Sequence, residues 1–234
     1  MGTTDVGAGI SRAEACRLMR ATGREVAGLF EEACRIRAAR TGDVITYSRK
    51  IFIPLTNLCR DRCGYSTIAR VPGDGLAHTI TPEEVLAVAR AGSEAGSKEA
   101  LFSVGDKPEL RYPKYCEWLG ERGFRSTSEY LQAMCRVVFE QTGLLPHTNP
   151  GLLSREEMLE LRPVNASLGM MLESTSRHLL APGHAHYRCP DKVPVMRLRA
   201  LGTAGQLRIP FTVRRQASIW ADSSGLVARY QEAA

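Results

Sequence analysis

The sequence is poor in aromatic residues, at 6% of 234, and it holds no long apolar run. A nucleic-acid surface pairs clustered basic residues with aromatic stacking partners. The net charge of +6 is instead spread along the chain without a basic block. An RNA-binding domain therefore rests on charge alone and is the weakest reading. No stretch approaches the roughly 18 apolar residues of a membrane-spanning helix, so no helical span is expected. A basic segment followed by an apolar one is also missing from the first residues, so a secretory signal is not expected and the cytoplasm is the default location.

What is present suits one main folded domain: 44% hydrophobic and 24% charged residues are ordinary for a globular chain of this length. Residues 11–40 read as two helices, opened by the Ser11–Glu14 capping-box spacing and carried by Val26, Leu29, Phe30, Ala33 and Ile36. From there strand and helix patterns alternate. Strands are expected at residues 51–55, 100–104, 144–147, 166–172 and 207–211, with Pro146 arguing against the third. Helices are expected from Thr81, with Pro82 at its first position, to about Gly96. Others run from Ser126 to a stop at Gly143, from Ser154 to Leu161, and from Pro190 to a stop at Gly205. The units differ in length and show no fixed-period repeat. Such alternation predicts parallel βαβ units in an α/β sheet or barrel, whose ligands sit at the carboxyl ends of the strands.

The seven cysteines are an odd number for a chain expected to stay reduced: Cys16, Cys34, Cys59, Cys63, Cys116, Cys135 and Cys189. Cys16, Cys34, Cys116 and Cys135 read as small apolar residues on helices, and Cys189 as a bystander thiol in a loop. Only Cys59 and Cys63 are spaced to share a metal group. Directly after the first strand stands Cys59-Arg60-Asp61-Arg62-Cys63-Gly64-Tyr65-Ser66. With cysteine at position 66 it would read C-x3-C-x2-C, three thiolates able to ligate three irons of a [4Fe-4S] cluster and leave the fourth iron open. The alternative is a pair of buried thiols one helical turn apart. A serine hydroxyl is a hard, weakly acidic substitute for thiolate on iron. His184 and His186 lack a partner at metal-ligand spacing and are given no catalytic role.

Residues 50–65, Lys50 to Tyr65, resemble the cluster loop of the deazaflavin (FO) synthase family of radical S-adenosylmethionine (SAM) enzymes. Three further segments resemble the same family: residues 98–109 with Gly105-Asp106, residues 146–151 with Asn149, and residues 167–177 with Glu173 and Arg177. The resemblance covers residues 44–212. It implies a partial TIM-like (β/α) barrel of the radical SAM type, truncated after about the fifth strand, with a helical extension at residues 1–43 and an unrelated tail at 213–234. That loss of likeness is what a frame shift or fusion scar leaves, and a missing last strand would expose a sheet edge.

The family's cofactors are a [4Fe-4S] cluster and SAM. By resemblance Cys59 and Cys63 ligate iron, Ser66 occupies the place of the third cysteine, and Tyr65 meets the SAM adenine. Gly105 and Asp106 form the turn that holds the SAM amino group. Asn149 touches substrate or SAM, while Glu173 and Arg177 reach its ribose and carboxylate. The implied reaction is radical cyclisation of a hydroxybenzyl-ribityl-aminouracil adduct to FO. A companion tyrosine-dependent radical SAM synthase is implied, as a separate chain or a lost fusion half. A non-catalytic relic, or a SAM- or partner-binding module of the same fold, stays open beside this reading.

Overall fold

The computed structural model describes residues 10–214, which fall into two compact units divided after Tyr47. The first carries α1 (Arg12–Leu18) and α2 (Arg24–Thr41). Ser11 caps α1 by accepting from the Glu14 N–H, as its spacing predicts. The apolar residues of α2 follow helical spacing, yet none is buried, and Phe30 is 68% exposed.

The second unit begins at Ser48. In chain order it contains β1 (Lys50–Thr56), α3 (Pro82–Glu94), β2 (Glu99–Val104), α4 (Pro113–Gly120), α5 (Thr127–Thr142) and β3 (Leu145–Asn149). These are followed by α6 (Arg155–Leu161), β4 (Ser167–Met171), α7 (Pro194–Gln206) and β5 (Phe211–Arg214). All strand pairs are parallel and the sheet order is β1-β2-β3-β4-β5. A doubly wound sheet would reverse its order at a switch point. Uninterrupted sequential order instead makes an arc of a (β/α) barrel.

Local chemistry places most of these elements. Thr81 and Ser154 each form a reciprocal capping box, with Glu84 and Glu157, and Gly143 ends α5 in the left-handed conformation. The convex face of the sheet packs Ile53, Leu55, Ala100 and Phe102 against Val85 and Ala89 of α3 and Tyr130, Leu131, Met134 and Val138 of α5. Alternation then turns Phe52, Pro54, Thr56 and Ser103 to the concave face, where they line a cleft.

Four elements depart from the sequence reading. Strand β3 runs through Pro146, which pairs with Ala100. The Pro146 carbonyl accepts from Ala166 just before β4 pairing begins at His147 and Ser167, so the missing N–H points where no ladder yet exists. Helix α7 starts at Pro194 after a short 3₁₀ turn at Pro190–Lys192, because a proline disfavours helical backbone in the residue before it. It also passes Gly202 and Gly205 and ends at Gln206; beyond it Arg208, at a φ of 51°, turns Ile209 N–H back onto the Ala204 carbonyl. The expected strand at 207–211 is therefore a tight turn that buries Leu207 and Ile209, and β5 begins at Phe211. Helix α4 was not predicted; it buries Tyr115 and Leu119. The strand β5 extends to Arg214, past the expected end of likeness at 212, and the remainder of the expected tail lies outside the described residues.

Gly105 is where two loops cross most closely. A Cβ there would stand 1.8 Å from the Leu58 carbonyl oxygen, a backbone atom that cannot swing away. Gly105→Ala is expected to destabilise the chain by about 1–3 kcal/mol or more, read as a lower urea midpoint at unchanged slope. A midpoint equal to that of the unmodified chain would show that the crossing is looser than described.

Candidate functional site

The carboxyl ends of β1 to β4 surround a cleft of about 240 Å³. The loop after β1 is bound to its neighbours by backbone groups. Gly105 N–H donates to the Thr56 carbonyl, Arg60 N–H to the Asp106 carbonyl, and Gly64 N–H to the Ala185 carbonyl. The Asp106 N–H donates to Cys59 Sγ at 3.2 Å, and the Tyr112 hydroxyl to the Cys59 carbonyl at 3.0 Å. Asp61, on the same loop, is buried. The loop is thus held from two sides before any ligand is considered.

Of the residues expected from sequence, Cys59, Cys63, Tyr65, Ser66, Gly105, Asp106, Asn149 and Glu173 all line this cleft. Arg177 does not. The chain leaves β4 through Glu173 at a φ of 63°, then a serine-bonded turn at Ser174–Ser176, and Arg177 opens an exposed 3₁₀ turn. The guanidinium that does reach the cleft is Arg197, 1% exposed, donating to the Met171 and Asp191 carbonyls at 2.8 Å each. Lys192 was also missed: its Nζ donates to Glu173 Oε1 at 2.7 Å, leaving Glu173 Oε2 buried without a hydrogen-bond partner. His186, expected to be a plain loop residue, is buried, with Nε2 3.2 Å from the Tyr65 hydroxyl. Cys189 is no bystander either. It is buried and donates its S–H to Cys63 Sγ at 3.7 Å.

Burial sets the electrostatics. It pushes the Cys59 thiol up to about 11 and the His186 imidazole down to about 4. The Cys189 S–H lowers the pKa of Cys63, and donating that bond raises the pKa of Cys189 itself. Asp61, Asp106 and Asp191 place carboxylate oxygens within 4.8 Å of one another. Arg60 grips Asp191 through two N–H groups. Asp106 lacks such a partner: burial, then the Asp191 and Asp61 charges, raise it to about 7.

A parallel half-barrel with a cysteine-bearing loop at the end of β1 defines a class of proteins that work on a ligand held inside the strand ends. The chain belongs to the radical SAM superfamily, which it matches over residues 53–214. It is 52% identical to an FO synthase of Mycobacterium tuberculosis, over 85% of this chain and 25% of that protein. It is 45% identical to a 7,8-didemethyl-8-hydroxy-5-deazariboflavin synthase of Methanopyrus kandleri, over 72% of this chain and 51% of that protein. The chain thus spans about a quarter to a half of the length of these relatives. Its fold is shared with methylornithine synthase (TM-score 0.69, 17% identity, 97% of this chain and 61% of that one). It is shared too with the hydrogenase maturase HydG (TM-score 0.71, 19% identity, 95% and 46%).

The superfamily's cofactors are a [4Fe-4S] cluster and SAM. The cleft suits SAM: Gly105 lines it with backbone, and Glu173 lines it and keeps a buried oxygen without a hydrogen-bond partner. The loop suits the cluster less well. It supplies two thiols, while the Ser66 hydroxyl already accepts from the Ala69 N–H at 3.1 Å.

Asp106 gives the cofactor-free chain a distinctive pH response. Unfolded, its carboxyl ionises near 3.8; folded, it holds its proton to about 7. Between these values the unfolded state binds fewer protons, so stability falls as pH rises from about 4 to about 7 and levels off above. Asp106→Asn removes this slope. The difference between the two chains is expected to change by on the order of 4 kcal/mol across the window, measured by urea unfolding at successive pH values. Parallel curves would show that Asp106 ionises normally.

Proposed function

We propose that this chain is the SAM-dependent portion of an FO synthase. The reaction is formation of 7,8-didemethyl-8-hydroxy-5-deazariboflavin from a hydroxybenzyl-ribityl-aminouracil adduct. The observation that carries the reading is the convergence of the Cys59–Ser66 loop, the Gly105 turn, Asn149 and Glu173 on one cleft, in a chain half-identical to FO synthases. When bound, the cluster and SAM together supply the 5′-deoxyadenosyl radical chemistry that begins the cyclisation.

The chain's own residues hold and orient. Cys59 and Cys63 are the iron ligands and Ser66 takes the third place. Tyr65, fixed by His186, presents its ring to the adenine. The Gly105–Asp106 turn offers backbone groups to the SAM amino group, and Asn149 faces substrate or SAM from the end of β3. Glu173, steadied by Lys192, accepts from the ribose hydroxyls through its free oxygen. Arg177 takes no part; Arg197 shapes the cleft by fixing Asp191. The companion tyrosine-dependent synthase acts as a separate chain or as the further length that the longer relatives possess.

A second reading is favoured by Ser66. With one thiolate missing from the loop, the chain would bind SAM or a partner without turning it over. Iron and sulfide content after anaerobic reconstitution separates the two. Ser66→Cys is expected to hold about four irons per chain, as the cluster type requires; a natural chain that also holds a full cluster supports the synthase, and one that holds clearly fewer irons supports the binding module. Four irons on the natural chain would mean that Ser66 is tolerated. No iron on either would overturn the FO synthase reading.

A further inference from the structure

The contact between Cys63 and Cys189 is not part of the cysteine loop's motif. Cys189 lies just before the 3₁₀ turn that precedes α7 and is 3% exposed. Its Sγ stands 3.7 Å from Cys63 Sγ. Asp61, also 3% exposed, completes a group of three whose ligand atoms all lie within 4.8 Å of one another. One of its oxygens is fixed: Oδ1 accepts from the Asp191 N–H at 3.2 Å. The other, Oδ2, is buried with no hydrogen-bond partner. An orphaned carboxylate oxygen in a dry site is costly unless something meets it.

The spacing identifies what would meet it. Around one tetrahedral cation with metal–sulfur bonds of about 2.3 Å, two sulfurs stand about 3.8 Å apart. The cysteines of a [4Fe-4S] cluster each take a different iron and spread more widely. The 3.7 Å contact, a thiol hydrogen bond in the metal-free chain, matches the edge of a mononuclear site. We propose that Asp61, Cys63 and Cys189 bind a single thiophilic divalent cation of the zinc class.

Two sulfurs disfavour magnesium and calcium, which take oxygen ligands. Asp61 and Cys63 line the cleft, so the fourth position opens toward it, as in zinc sites that exchange a ligand. The thiol protons of Cys63 and Cys189 leave to solvent as the cation takes their place. Outer support is already built: Arg60 and Arg197 hold Asp191, and Asp191 holds Asp61. Cys63 cannot serve this ion and the iron–sulfur loop together, so the two occupants exclude each other.

The test is titration of the reduced, iron-free chain with Co(II), followed by the thiolate-to-cobalt charge-transfer and tetrahedral ligand-field bands. One Co(II) per chain, displaced by Zn(II), is expected for the natural chain and for Cys59→Ser. Cys63→Ser and Cys189→Ser should weaken binding roughly a hundredfold and roughly halve the charge-transfer band per bound cobalt, and Asp61→Asn should weaken binding about tenfold. A natural chain without that band, a Cys189→Ser variant that keeps it undiminished, or its loss in Cys59→Ser each overturns the proposal. A second measurement needs no variant: zinc should halt alkylation of Cys63 while the exposed Cys34 and Cys116 continue to react. Continued alkylation of Cys63 counts against the site. Cys59→Ser disables the iron–sulfur loop and spares this site, whereas Cys189→Ser does the reverse. Failure here is thereby distinct from failure of the proposed function.

Discussion

The site depends on one buried carboxylate. Asp191 is 1% exposed, and each of its own polar groups is engaged. Arg60 binds its side chain through two N–H groups, Arg197 donates to its carbonyl, and its own N–H donates to Asp61. The Arg60–Asp191 pair joins the loop after β1 to the turn before α7, 131 residues apart in sequence. A buried ion pair gains little net stability over a well-packed apolar substitute, because desolvation offsets most of the attraction. What it does here is fix geometry. With Arg60 anchored, the loop has one way to lie, and that position brings Tyr65 to His186 and Cys63 to Cys189.

How far the sequence could be read follows the range of the forces involved. Helix α3, with Thr81, Pro82 and Glu84 at its start, and α6, with Ser154 and Glu157, are specified by neighbours three residues apart. So is the placement of the cysteine loop at the end of β1. Arg197 was illegible for the opposite reason. On α7 the apolar Val195, Met196 and Leu198 are exposed, while Arg197 is buried with Ala200 and Ala204. Hydrophobic periodicity would turn that helix the other way. Its true orientation is set by carbonyls on β4 and at Asp191, which no local pattern announces. Arg177 had the converse fate: the serine turn after Glu173 carries it to the surface, whatever its family resemblance suggests.

The same distinction explains how a chain keeps its fold when position 66, the third place in the proposed cluster loop, carries serine. Replacing sulfur by oxygen changes one atom, and the hydroxyl finds a local partner in the Ala69 N–H. The packing of the sheet never consults that position. Ile53, Leu55, Phe102 and the helix residues behind them form the core on the convex face, and the ligand-bearing side chains stand on the other. Fold and chemistry are written on opposite faces of the same strands.

That separation has an electrostatic consequence. Three carboxylates, Asp61, Asp106 and Asp191, crowd one end of the cleft, and only Asp191 receives a full cationic partner. Asp106 answers by keeping its proton, and Asp61 is pushed in the same direction by burial and by Asp191. A site in which Asp61 and Asp106 resist ionisation, and whose Asp61, Asp106 and Glu173 each retain an unsatisfied oxygen, is arranged around charge it does not itself contain. A cation placed among them would lower the Asp61 and Asp106 pKa values at once. The polar face therefore holds unpartnered oxygens, while the apolar face is a continuous buried core. Binding is what closes the account on the concave side, and the identity of the occupant follows from which sulfur Cys63 finds beside it.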